Sequence, residues 1–194
     1  MIIVEDIVMF TLKVDNEIEL QLFELQDATE LYWLVDANRL YLREWLPWVD
    51  NMVAPANYTT IIPMWLKQFA ENNGFNAGIR YKGQLVGSIG LHQIDWNNSQ
   101  TSIGYYLAHS AQGKGIMTRT VKALLNYIFF KLGLNRVEIR CGVGNYKSRA
   151  IPERLGFTKE GVIRDGENLY GNFHDLVIYG MLSRDWHNLL NNNL

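Results

Sequence analysis

Leu107-Ala108-His109-Ser110-Ala111-Gln112-Gly113-Lys114-Gly115-Ile116-Met117 is the stretch on which the fold turns. Residues 101–107 before it read as a strand. After it, Met117, Val121, Leu124, Leu125, Ile128 and Leu132 lay one apolar stripe along a helix. Gly113 and Gly115 around Lys114 let the backbone turn tightly and point successive amide hydrogens outward, and the helix start adds a positive dipole end. Taken alone, the pair fits a phosphate site and a plain turn equally well. A Walker loop is disfavoured because Gly115, not a hydroxyl residue, follows Lys114. The Gly-x-Gly-x-x-Gly fingerprint fails as well, since Met117, Thr118 and Arg119 include no glycine.

Working outward, Gly133 ends the helix and residues 136–141 form a short strand with Val137 and Ile139 alternating. Because it follows a crossover helix, this strand is expected to pair parallel to the strand before the glycine loop. A short helix over 145–155 and a hairpin over 158–181 come next. Upstream, residues 17–23 alternate with period two. Asp27 is placed to cap a helix carrying Ala28, Leu31, Leu34 and Val35, which ends before Pro47. A second helix is expected over 58–71, opened by Pro63 and closed by Asn72-Asn73-Gly74. Strands over 75–81, 85–94 and 101–107 form an antiparallel meander, turning at Lys82-Gly83 and at Trp96-Asn97-Asn98-Ser99. The fold class is α+β: a mixed, mostly antiparallel central sheet flanked by helices.

The chain has 194 residues, which fits one domain over 1–194 able to bury roughly 70% of its unfolded surface. Its formal net charge of −2 gives no basic excess for nucleic acid. Cys141, the only cysteine, excludes an internal disulfide and a multi-thiolate zinc site, and fits a reducing compartment. Residues 1–10 carry Glu5 and Asp6 and lack a basic start, so no signal peptide is expected there. No apolar run approaches the ~18 residues of a membrane span. A cytoplasmic protein is the expectation. His92, His109, His174 and His187 lack metal-ligand spacing, so no metal is expected.

Asn145-Tyr146-Lys147-Ser148-Arg149-Ala150 and Leu155-Gly156-Phe157 follow the strand expected beside the one that feeds the glycine loop. Two parallel strands that each run into a helix leave a crevice at their C-terminal ends, the usual ligand position in open sheets. Further motifs are the late Tyr170-Gly171-x-x-His174-Asp175 run and the early Trp45-Leu46-Pro47-Trp48 segment. Taken together, these features make the sequence resemble the GNAT superfamily of N-acetyltransferases along nearly its whole length. The similarity is to the RimJ/RimL-type branch, which acetylates ribosomal-protein N-termini. The resemblance implies a splayed parallel strand pair holding CoA, with acetyl-CoA as co-substrate. It implies that the amides of Gln112, Gly113, Lys114, Gly115, Ile116 and Met117 cradle the pyrophosphate. It also implies that the strand end at Leu107 pairs with pantetheine, which Asn145 helps to hold. Met117 departs from the family's Gly or Ala at that place.

Moving an acetyl group from a thioester to an amine requires a neutral amine, a polarised carbonyl and a proton for the departing thiolate. The tyrosine that many members place five residues before the Phe of the Gly-Phe pair is Pro152 here, and residues 101–107 lack the family's strand glutamate. The resemblance therefore assigns the acid to Ser148 and the base to Glu167, with Glu160 as the alternative base. Plainer readings stand beside these: Asn145 caps a helix, Ser148 bonds its own backbone, and Glu167 is a solvated hairpin glutamate. Pro152 also deprives the Ser148 carbonyl of its helical partner. Trp33, Trp45, Trp48 and Trp65 either line an acceptor groove or belong to the core. Lys114 is either a point charge for a phosphate or a solvated loop lysine, and Asp175 reads as a structural partner. The acceptor implied is the N-terminal α-amine of a protein, in the first instance a ribosomal one, with a small amine as the alternative. An acetyl-CoA-binding sensor without turnover is the reading from another class, motivated by the missing tyrosine and glutamate. No nucleic-acid or membrane partner is expected, and the long late hairpin is compatible with a homodimer.

Overall fold

The computed structural model describes residues 10–192, so the expectation about a leader over residues 1–9 lies outside the described residues. Strands β1 (Thr11–Lys13), β2 (Ile18–Leu22), β3 (Phe75–Tyr81), β4 (Gln84–Leu91), β5 (Gln100–Leu107), β6 (Arg136–Gly142), β7 (Thr158–Leu169) and β8 (Asn172–Leu182) form one sheet. Its eight strands run in the order β1-β2-β3-β4-β5-β6-β8-β7. All pairings are antiparallel except β5 with β6. The helices are α1 (Ala28–Ala37), α2 (Arg39–Arg43), α3 (Pro55–Ala70), α4 (Ile116–Asn126), α5 (Tyr146–Arg154) and α6 (Ser183–Asn191).

Alternation along the strands sends two sets of side chains to two helical layers. Ile18, Leu20, Ala77, Ile79, Ile89 and Ile103 share a core with Val121, Leu124 and Leu125 of α4. Each fully buried aliphatic side chain there contributes about 1.5–3 kcal/mol. Phe23 and Leu85 pack with Leu31, Val35, Tyr58 and Ile62 from the α1–α3 layer. Gly78 makes room for this second cluster, since a Cβ there would come within 2.7 Å of Leu85 and 3.0 Å of Phe23.

The parallel pair and the antiparallel meander match the sequence reading. Three local expectations are corrected. The helix placed over 58–71 begins at Pro55, which occupies its first turn, and Pro63 sits inside it. Pro63 lies on the exposed face, so the Thr59 carbonyl it leaves without a helical donor is near water. Asn57 Oδ1 accepts from Val53 N at 3.1 Å and Ala54 N at 2.9 Å, fixing the true start. Asp27 makes no side-chain cap bond to α1. Its carboxylate accepts from the Glu24 amide at 2.8 Å and pairs with Arg80 at 3.2 Å. The stripe from Met117 onward is not one regular helix: α4 passes into a π turn over Tyr127–Lys131 before Gly133, at φ 69. Strand β1 and helix α6 were not anticipated; α6 is anchored by Trp186, whose Nε1 donates to Asn126 Oδ1 at 2.8 Å.

Leu124 is fully buried on the inner face of α4, the helix that presents the glycine loop. Leu124→Ala is expected to cost about 2–5 kcal/mol of folding stability, read as a lower midpoint in urea unfolding.

Candidate active site

The β5–β6 ladder contains only Gln100↔Arg136, Thr101↔Val137 and Ser102↔Glu138. Beyond Ser102 each strand stays with its outer neighbour: β5 with β4 up to Gly87↔Leu107, and β6 with β8 up to Gly142↔Leu176. The strands therefore diverge, and the gap opens into a cavity of about 1250 Å³. Pockets for drug-sized ligands are about 300–1,000 Å³, so this one has room for two reactants. Its lining runs from Gln112, Gly113 and Gly115 past Leu107, Tyr105, Cys141, Asn145 and Ser148 to Trp45, Trp48 and Glu167.

At one end the chain leaves β5 under restraint. Ala108 N donates to Val86 O at 2.8 Å and His109 N to Asn38 Oδ1 at 2.9 Å. Gly113 (φ 73) and Gly115 (φ 70) then take left-handed conformations, and a Cβ on either would meet open space. These glycines are required by the backbone and not by crowding from the protein. The first α4 amide with a carbonyl acceptor is that of Arg119, bonded to Gly115 O at 3.1 Å. Among the described residues, the amides of 113–118 have no acceptor, leaving a run of main-chain donors at a helix N-terminus. Met117 and Ile116 point into the core, so the departure at Met117 leaves its amide unobstructed. Two cations that the sequence reading did not assign flank this nest. Arg154 Nη1 donates to Thr118 Oγ1 at 2.8 Å, and Lys147 Nζ to Gln112 Oε1 at 3.0 Å. Lys114 Nζ lies 5.9 Å from the Tyr81 ring centroid.

In the middle, Asn145 Oδ1 accepts from Ser148 N at 3.1 Å, so Asn145 caps α5 while lining the cavity. Pro152 leaves the Ser148 carbonyl without a helical donor, and the Tyr105 hydroxyl takes that place at 2.9 Å. One hydrogen bond thus ties β5 to α5 across the diverging strands. Burial pushes the Tyr105 phenol well above its ordinary range and the Cys141 thiol up to about 11. Both are neutral and poor nucleophiles near neutral pH.

At the far end Trp45, Trp48 and Trp65 line the cavity, whereas Trp33 is exposed outside it, correcting that expectation. Glu167 lines the wall, and burial pushes its carboxyl above the usual range, opposed by His174. Glu160 does not serve as an alternative base: both its oxygens are bonded to Arg136, at 2.6 and 2.5 Å. Asp175 is structural as expected, accepting from Asp165 N at 2.9 Å. His92, set aside by the sequence reading for want of metal spacing, also lines the cavity. Its Nδ1 is 2.9 Å from Ser102 Oγ, at the level of the last β5–β6 pair. Burial, then Arg140, lowers its pKa. Its proximity to Ser102 is tertiary and has no local sequence signal. No His/Cys/Asp/Glu cluster able to hold a metal occurs among the described residues.

A diverging parallel pair, a nest of amides at the following helix and a two-reactant cavity define a coenzyme-A-dependent acyltransferase. The comparisons agree, and the chain belongs to the GNAT acetyltransferase family: residues 17–158 match the family described as "Acetyltransferase (GNAT) domain". It is 46% identical over 179 residues to "Putative ribosomal N-acetyltransferase YdaF" of Bacillus subtilis (strain 168), covering 92% of this chain and 98% of the relative. The microcin C7 self-immunity acetyltransferase MccE, solved with acetyl-CoA and AMP, is 31% identical with a TM-score of 0.85 over 88% of this chain and 95% of that one. RimL, a ribosomal L7/L12 α-N-protein acetyltransferase solved with coenzyme A, is 26% identical with a TM-score of 0.86, covering 91% and 99%. The protein is an acetyl-CoA-dependent N-acetyltransferase. Among the described residues, no helix is long and apolar enough to cross a membrane.

Gly115→Ala is expected to introduce about 1–2 kcal/mol of left-handed strain, read by calorimetry as weaker acetyl-CoA binding. For His92, an NMR titration is expected to give a midpoint below the ordinary value of about 6.5. Because its folded value is depressed, its stabilising contribution is present above the unfolded value and lost as pH falls through the folded one.

Proposed function

We propose that the chain is one catalytic domain, acting in the cytoplasm, that acetylates the N-terminal α-amine of a protein, in the first instance a ribosomal one. The observation that carries the reading is that Glu167, Ser148 and the residues with unpartnered amides at 113 and 115–118 border one continuous cavity. The names of the ribosomal-protein acetyltransferases to which the chain is similar support the choice of acceptor. The aromatic walls of the far half offer extended apolar contact to the first residues of a peptide.

In this mechanism the amides of 113–117, with Lys114 beside them, hold the pyrophosphate of acetyl-CoA; the Gln112 amide, expected among them, instead donates to His109 O at 3.3 Å. The pantetheine arm passes between the diverging strands near Leu107 and Asn145. Glu167 takes a proton from the α-ammonium, directly or through one water, and the freed lone pair attacks the thioester carbonyl carbon. Main-chain donors stabilise the charge that gathers on the carbonyl oxygen. As the carbon–sulfur bond breaks, Ser148 Oγ gives its proton to the thiolate and recovers the second proton of the attacking nitrogen through water, leaving a neutral amide and free CoA. The missing family tyrosine and strand glutamate are thereby replaced by groups on α5 and β7. A carboxyl raised by burial suits a base working near neutrality, because it binds the proton more strongly once it has taken it.

Glu167→Gln is expected to slow turnover about a hundredfold, and Ser148→Ala about tenfold or more, with acetyl-CoA affinity little changed. The substrate panel is an N-terminal peptide of ribosomal protein L7/L12 beside free polyamines and amino sugars, with CoA release as the readout. The acidic limb of the pH–rate profile is expected above the ordinary carboxylate value of about 4.3. Turnover of small amines alone would replace the peptide reading. Tight acetyl-CoA binding with no CoA release from any acceptor would favour a sensor.

A further inference from the structure

Two stretches singled out by their sequence, Trp45-Leu46-Pro47-Trp48 and Tyr170-Gly171-x-x-His174-Asp175, have no part in the chemistry above, and the fold brings them together. The Tyr170 hydroxyl donates to the Leu46 carbonyl at 2.7 Å. On its ring face, the Arg43 guanidinium lies 3.9 Å from the centroid. Arg43 Nε in turn donates to both Asp50 oxygens at 2.9 Å. The segment that Tyr170 grips is itself braced, because Arg39 donates to Val49 O at 2.7 Å and to Met52 O at 2.6 Å.

The hairpin needs such an anchor. The β7–β8 register shifts between Ile163 and Glu167, and pairing resumes only as Glu167↔His174, Asn168↔Phe173 and Leu169↔Asn172. The inner neighbour β6 stops at Gly142↔Leu176, so this tip is a two-stranded ribbon beyond the sheet. Ribbons of that kind are marginal on their own. Tyr170 also occupies a backbone position that disfavours it. Tyr170 (φ 54) and Gly171 (φ 90) make the left-handed pair of a tight hairpin turn, where Asn-Gly is the favoured sequence. A bulky side chain there points to a task performed by the side chain.

We propose that Tyr170 is a positioning residue: clamped between the Leu46 carbonyl and the Arg43 guanidinium, it holds Glu167, on the same ribbon, in the wall of the acceptor half of the cavity. The proposal rests on the reading of Glu167 as the base. Leu46 lines the same cavity, so the clamp joins two parts of its wall that are distant in sequence. The charged groups nearby are accounted for. His174 is the ladder partner of Glu167, Asp175 accepts from the Asp165 amide, and Arg43 and Asp50 neutralise each other. Loosening the ribbon hydrates the Glu167 carboxylate, and its titration then returns toward the ordinary range.

The test is a carbon-13 titration of protein labelled at the glutamate carboxyl, with Glu167→Gln identifying the resonance. Tyr170→Phe removes only the hydroxyl, Arg43→Ala removes the cation together with its bonds to Asp50, and Tyr170→Asn removes the clamp while giving the turn a residue it prefers. The expected result is a lower Glu167 midpoint in all three. Turnover of the L7/L12 peptide should fall about fivefold in Tyr170→Phe, as for one lost hydrogen bond, with acetyl-CoA affinity unchanged. In Tyr170→Asn the thermal midpoint should hold or rise while turnover falls, a combination that a merely structural role would not give. An unchanged Glu167 midpoint in Tyr170→Phe and Tyr170→Asn overturns the proposal. A Glu167→Gln enzyme as fast as the parent marks instead the failure of the base assignment, and the titration still decides the clamp.

Discussion

The hydrogen-bond ladder between β5 and β6 stops at Ser102, and the chemistry of this protein is arranged around that stop. Backbone donors and acceptors left unpaired in an interior are costly, so a sheet opens in its middle only where something else keeps the edges apart. Here the Tyr105 hydroxyl reaches the Ser148 carbonyl from the β5 side. On the β6 side Trp45 packs beside Gly142, where a Cβ would come within 3.3 Å of the indole. Each strand also keeps a full antiparallel neighbour on its outer edge, so the opening does not weaken the sheet on either side.

The second requirement is a rigid platform for the amide nest, which α4 supplies. Its inner stripe is almost wholly buried, and Met117 adds to that stripe instead of obstructing the loop. Main-chain donors fixed by a packed helix need little rearrangement to receive an anion, so this end of the cavity is pre-formed. Arg154 and Lys147 approach the same loop from α5, coupling the helix that carries Ser148 to it.

The aromatic half differs in character. Its walls come from elements far apart in sequence: α2 and the segment after it, α3, the C-terminal part of β5 and the late hairpin. Its titratable groups are shifted by their surroundings, Glu167 upward and His92 downward, which is typical of a water-poor site that handles protons.

The glycine loop, the amphipathic helix after it and the parallel pairing of the flanking strands were legible in the sequence because each rests on local rules: positive φ, helical period and crossover handedness. The run of free amides from Gly113 to Met117 was legible for the same reason, since one continuous segment carries it, whereas the bond of the Gln112 amide to His109 O was not. The start of α3 was misread because two prolines satisfied the same rule, and only Asn57's bonds to Val53 and Ala54 distinguish Pro55 from Pro63. The Ser102 contact of His92, the capture of Glu160 by Arg136 and the partner of the Ser148 carbonyl were not legible. Each joins residues on different elements, and no local propensity encodes such a meeting. The sequence by itself determined the class of fold and where main-chain donors gather at a helix start. The shape of the aromatic half of the cavity, and which carboxylate lines it, were decided by tertiary packing alone, because they depend on where separate strands and helices end relative to one another.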